Sequence, residues 1–97
     1  MNASEWKSGL LAPTGMGEWS LDDIDGFEAA RGLLDALISA YSARIAAAEG
    51  EAAMQLRVEQ QTCVTERRTL SVRDTETVER IRREYPARLR TVRGEVV

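Results

Sequence analysis

Residues 20–53 read SLDDIDGFEAARGLLDALISAYSARIAAAEGEAA, and how this stretch divides into helices decides the fold. Ser20 stands where a helix N-cap belongs, and Asp23, three residues on, completes an approximate capping box. Trp19 before the cap and Ile24 after it have the spacing of a hydrophobic staple. Asp22, Asp23 and Asp25 favour the positive end of the helix dipole. From there Ile24, Phe27, Leu34, Ile38, Tyr41 and Ile45 recur every three or four residues or at their multiples, the signature of one apolar helical face. A second row, Gly32, Ala36, Ala40, Ala43 and Ala47, falls about 200° away from the first, where small side chains let another helix approach closely. The competing reading of that row is that alanine simply favours helix on a wetted face.

Downstream, Gly50 sits between two glutamates with no Asx, Ser or Pro beside it to build a loop. An interior glycine costs a helix about 1 kcal/mol relative to alanine, which a long helix can absorb. The spacing therefore predicts one helix over 21–69, a rod of roughly 74 Å, with a break at Gly50 as the alternative. Its second half is polar, with Leu56 and Cys63 as its sparse seam. Ser71 followed by Asp74 resembles another capping box, and Val78, Ile81, Tyr85, Leu89 and Val92 mark a shorter helix over 72–92, kinked or broken at Pro86. The expected fold is all-α: a coiled-coil-like antiparallel hairpin over 20–97, the shorter helix folded along the polar half of the rod.

Residues 1–19 hold Gly9, Pro13, Gly15 and Gly17, which break regular structure, together with Trp6, Leu10, Leu11, Met16 and Trp19. They form an irregular arm whose apolar side chains seek a surface, in this chain or in another. The core available to the chain is thin: of 97 residues only 21 are Leu, Ile, Val or Phe, whereas 13 are Ala. That is close to the roughly one-fifth below which chains tend to stay disordered. A chain this small gains from burial against partners.

Charge is unevenly placed. Net charge is −3, yet residues 67–93 carry nine Arg against four acids, while Asp22, Asp23, Asp25 and Glu28 cluster at the start of the first helix. In the hairpin that acidic start stays uncovered, so a second copy could meet it with Arg88, Arg90 and Arg93, giving orientation more than affinity. The arginines at 80, 82, 83, 88, 90 and 93 also invite a nucleic-acid reading, as a DNA-associated regulator using the C-terminal helix. Against nucleic acid stand the acidic pI near 5.0, the interleaved Glu79 and Glu84, and the lack of a base-stacking aromatic platform.

Several chemistries are excluded. The chain has no His, so histidine-based acid–base catalysis and histidine zinc sites are absent. Its one cysteine, Cys63, cannot form an internal disulfide and reads as a buried small side chain. The acidic run at 22–25 fails as a calcium loop, because registering Gly26 at the sixth position puts Leu21 and Gly32 at the first and twelfth. Gly9, Gly15 and Gly17 spell neither a dinucleotide fingerprint nor a phosphate loop. No signal peptide or membrane span is visible: the longest uncharged run inside the helical region, residues 36–43, is far short of the roughly 20 residues a bilayer needs. A long helix, a short connection and a shorter helix resemble in outline the small helical chorismate mutases. The resemblance is of architecture alone, and the first-helix stripe offers only Arg31 and Arg44 as cations. Small helical chaperones and secretion-filament subunits share the general look, but no motif selects them. The residues point to a cytoplasmic, non-enzymatic assembly or adaptor protein without cofactor or metal, partnered by itself or by a helical protein. The expected interface is Ile24, Phe27, Leu34, Ile38, Tyr41 and Ile45, the small row Gly32 to Ala47, the arginines 88, 90 and 93, and Trp6 and Trp19.

Overall fold

The computed structural model describes residues 20–94, so the expected contributions of Trp6, Trp19 and the rest of the arm lie outside the described residues. The chain is all-α there, with no strand: α1 (Leu21–Ala46), α2 (Gly50–Thr69) and α3 (Thr75–Val92). The first helix starts as its sequence dictates. The Ser20 hydroxyl accepts a hydrogen bond from the Asp23 amide at 3.1 Å, and the Asp23 carboxylate accepts one from the Ser20 amide at 3.2 Å.

Of the two options at Gly50, the break is the one realised, and the continuous rod is not formed. The Ala47 and Ala48 amides turn back onto Arg44 and Ile45 carbonyls, Glu49 is extended, and Gly50 enters α2 with φ +58°. That left-handed conformation is cheap only without a Cβ, so glycine itself makes the reversal that no Asx or Pro is present to make. The driving force is burial. Folding α2 back along α1 takes Ala53 and Cys63 out of water and half-buries Leu56, which a straight rod would leave wet.

The second turn also differs in detail. Asp74, not Ser71, caps α3, accepting from the Thr77 amide at 3.3 Å, while the Ser71 hydroxyl accepts from the Arg73 amide inside the turn. The third helix therefore begins at Thr75 and not near residue 72. It runs unbroken through Pro86, and Tyr85, the residue a following proline biases away from helix, stays helical and buried.

The result is an up–down–up arrangement. Gly26 lies against Val78 and Arg82, Tyr41 against Arg88, and Arg44 reaches the Val92 carbonyl, so α1 and α3 run the same way. Helix α2 runs opposite to both. Helix α1 is the centre, packed along α2 on one side and α3 on another, while α2 and α3 meet mainly through side chains. The expected hairpin partner of α3, the polar half of the rod, is thus the minor one. The fully buried side chains Leu34, Leu37, Tyr41, Cys63 and Ile81 form the heart of a core completed by Ala30, Ala40, Val78, Tyr85 and Leu89. Gly26 is also buried. A Cβ there would stand 3.1 Å from the flexible Arg82 guanidinium and at ordinary contact distance, 3.5 Å, from Val78.

Candidate functional site

Along the edge of the core, where α2 faces α3, runs a line of polar side chains contributed by all three helices, its charged members half-buried. Glu59, Cys63 and Glu66 share one face of α2 because they are spaced by four and three residues. Opposite them stand Tyr41 from α1 and Arg80, Tyr85 and Arg88 from α3. The Tyr41 hydroxyl donates to Glu59 at 3.0 Å and accepts from both Nε and Nη2 of Arg88, at 3.2 and 2.9 Å. Glu66 accepts from the Tyr85 hydroxyl and, at 2.6 Å, from Arg80. The Arg88 guanidinium also lies 5.2 Å from the centre of the Tyr85 ring, a cation–π contact.

This network closes on itself. Among the described residues no buried side-chain polar atom lacks a hydrogen-bond partner. Burial pushes the Cys63 thiol above its ordinary range, outweighing the opposite pull of Arg88, and so keeps it protonated. Burial likewise raises both tyrosines, with Glu59 adding to the shift at Tyr41 and Glu66 at Tyr85, against the lowering pull of Arg88 and Arg80. Hydrogen bonds to Tyr85 and Glu66 hold Arg80 firmly charged. The arrangement therefore favours a neutral thiol and neutral phenols over activated nucleophiles. Among the described residues no group of three or more His, Cys, Asp or Glu is placed to hold a metal ion. None of their helices is long and apolar enough to cross a membrane.

The expected interface residues divide into four groups. Leu34 and Tyr41 are spent in the chain's own core, together with Ala40 from the small row. Ile24, Phe27, Ile38 and Ile45 are half-buried, and Ala36 with them. Gly32, Ala43 and Ala47 face solvent, as do Arg90 and Arg93, whereas Arg88 is drawn inward to Tyr41 and Tyr85. Trp6 and Trp19 fall outside the described residues.

The acidic start of α1 is largely exposed within the chain: Asp22, Asp25 and Glu28 face solvent and Asp23 is half-buried. Asp22, Asp23 and Gly26 flank a small hollow of about 140 Å³ together with Val72, Thr75, Val78 and Arg82 of the same chain. Asp23 is engaged in the cap and Glu28 in a 2.7 Å ion pair with Arg31. Of the three arginines expected to meet this cluster from a second copy, Arg88 already has partners inside the chain, whereas Arg90 and Arg93 are exposed. The nucleic-acid reading likewise finds Arg80 and Arg88, two of its six arginines, turned into the bundle.

Two features escaped the sequence reading. The Glu59–Cys63–Glu66 face was visible as acids flanking a cysteine at helical spacing, but its meaning required knowing that Arg80 and Arg88 stand opposite. Gly26 stands out in the sequence against a calcium-loop template, yet Gly26, Ala30, Leu34, Leu37 and Tyr41 follow a helical spacing of their own. Beyond these, Gln60 on α2 donates to the Ile38 carbonyl at 2.9 Å and to the Ser42 hydroxyl at 2.8 Å, and Arg67 pairs with Asp35; both pin the register of α2 on α1. Comparisons with protein-family models, curated proteins and solved structures find no match to the chain.

Proposed function

We propose that the chain is a non-enzymatic helical assembly protein, cytoplasmic, which associates with a second copy or a helical partner along the outer face of α1. One observation carries this reading. The side of α1 turned away from the bundle is built from Ala29, Gly32, Ala36, Ser39, Ala43 and Ala46, spaced three and four residues alternately, and all but the half-buried Ala36 are exposed. A Cβ added at Gly32 would meet nothing within 4 Å, so that side is open. Small side chains in a seam of this spacing let a second helix come close enough for continuous van der Waals contact, at little cost in side-chain entropy.

Ala40, the natural position for a test if the whole small row faced outward, is buried in the core, so the probe belongs at Gly32 and Ala43. Sedimentation equilibrium over a range of concentrations is expected to give a defined oligomer for the natural chain. Ala43→Glu and Gly32→Leu are each expected to yield a monomer of unchanged helicity. A natural chain that stays monomeric at the highest concentrations, or an oligomer indifferent to both substitutions, refutes association through this face.

A further inference from the structure

The outer side of α2 presents a second stripe, independent of the α1 seam. Met54, Val58, Thr62, Thr65 and Thr69 are spaced by four, four, three and four residues and so lie in one line along the helix. Met54 and Val58 are each 61% exposed, a high value for large apolar side chains. The hydroxyls of Thr62 and Thr69 donate to the carbonyls of Val58 and Thr65, at 3.2 and 3.1 Å, so their hydrogen-bonding capacity is turned inward and the stripe offers mainly methyl groups. Val58, Thr62, Thr65, Glu66 and Thr69 line an open hollow of about 540 Å³. At the Glu66–Arg80 ion pair it adjoins another of about 450 Å³ on the wall of α3. The sparse backbone contact between α2 and α3 leaves room for this groove.

We propose that the chain's own N-terminal segment, residues 1–19, docks in cis on this stripe as a strap. Position comes first. Asp22 and Asp23 line a hollow with Val72 and Thr75, so Ser20 emerges at the end of the bundle where α2 finishes and α3 begins. With Arg67 paired to Asp35 across the antiparallel helices, Ser20 stands roughly 15–20 Å beyond the Thr69 end of the stripe. Length agrees. From Trp6 to Ser20 an extended chain reaches about 46 Å, enough to cover that offset and the roughly 23 Å along α2 from Thr69 to Met54. Composition agrees as well: Trp6, Leu10, Leu11, Met16 and Trp19 sit among only three charged residues, Glu5, Lys7 and Glu18. Glycines at 9, 15 and 17 let that backbone follow a groove without forming a helix. Docked, the segment removes Met54 and Val58 from water.

Both tryptophans of the chain lie in this segment, so indole emission reports on it alone. In Trp19→Phe the sole emitter is Trp6. It is expected to fluoresce at the short wavelengths of a buried indole, to resist acrylamide quenching, and to do so equally at all protein concentrations. Adding Val58→Glu, or separately Met54→Lys, is expected to shift the emission to that of free indole and to raise the quenching constant several-fold. Far-UV circular dichroism should stay unchanged, because both sites are exposed. A solvent-exposed Trp6 in Trp19→Phe, or protection that survives both groove substitutions, overturns the proposal. Protection that grows with concentration overturns docking in cis and gives the stripe to a second copy. Loss of the α1 seam leaves these readouts untouched, so the two proposals fail separately.

Discussion

Against α1, helix α3 lays Val78, Ile81 and Leu89 into a cluster with Ala30, Leu34 and Leu37; against α2, it sets Arg80, Tyr85 and Arg88 beside Glu66, Cys63 and Glu59. One helix thus uses two kinds of contact on its two sides. Apolar burial is non-directional and scales with area, so it supplies stability without choosing an angle or register. The hydrogen-bonded side has the opposite character: each bond adds only about 1 kcal/mol net, but leaving one unmade costs more, so the pairing of residues is fixed. The difference teaches that a chain with a thin core can obtain its rigidity from the apolar side and its specificity from the polar side.

The largest effect should come from the apolar side. Ile81→Ala removes a fully buried side chain and is expected to cost about 2–5 kcal/mol, a large fraction of what a chain of this size has in total. Chemical denaturation checks it. Glu66→Ala removes the acceptor of the Tyr85 hydroxyl and one partner of Arg80, and should cost about 1–3 kcal/mol. Hydrogen exchange should then quicken where α2 faces α3 while the amides of α1 stay protected. If Glu66→Ala costs as much as Ile81→Ala, the division of labour between the two sides is wrong.

The smallest effect is the alkaline one. Cys63, Tyr41 and Tyr85 all have raised folded-state pKa values, so the folded chain holds their protons more tightly than the unfolded chain does. Their contribution is therefore fully present below the unfolded values, near pH 9 for the thiol and pH 10 for the phenols, and is lost as pH rises through the folded ones. Denaturation midpoints measured between pH 8 and pH 11 should fall along that range. Tyr85→Phe, measured the same way, should flatten part of the decline.

Much of the fold is legible before any coordinates. The Ser20–Asp23 box, the all-helical character, and the Val78–Ile81–Tyr85–Leu89 stripe follow from local spacing, and the structure contains each of them. The reversal at Gly50 was harder to read, because a glycine's willingness to take positive φ is invisible in a run of alanines and glutamates that would also sit well in a helix. What decides it is the distant gain from burying Cys63 and Ala53 on α1. The polar seam is non-local in the same sense: Glu66 and Tyr85 are 19 positions apart, and no helical periodicity connects them. On α1, the spacing identified a small-residue row but assigned it one common fate. The structure instead buries Ala40, half-buries Ala36 and exposes Gly32 and Ala43, because α2 and α3 together cover more than half of the helix circumference.

The brevity of the two turns, at residues 47–49 and 70–74, has a consequence for how the chain assembles itself. Closing a short loop loses little entropy, so α1 with α2, and α2 with α3, can zip locally and quickly. The α1–α3 contact, the most apolar of the three, joins residues farthest apart along the chain and gains from α2 having already brought its ends together. Helix α2 thereby serves as the splint on which the greasiest seam is set.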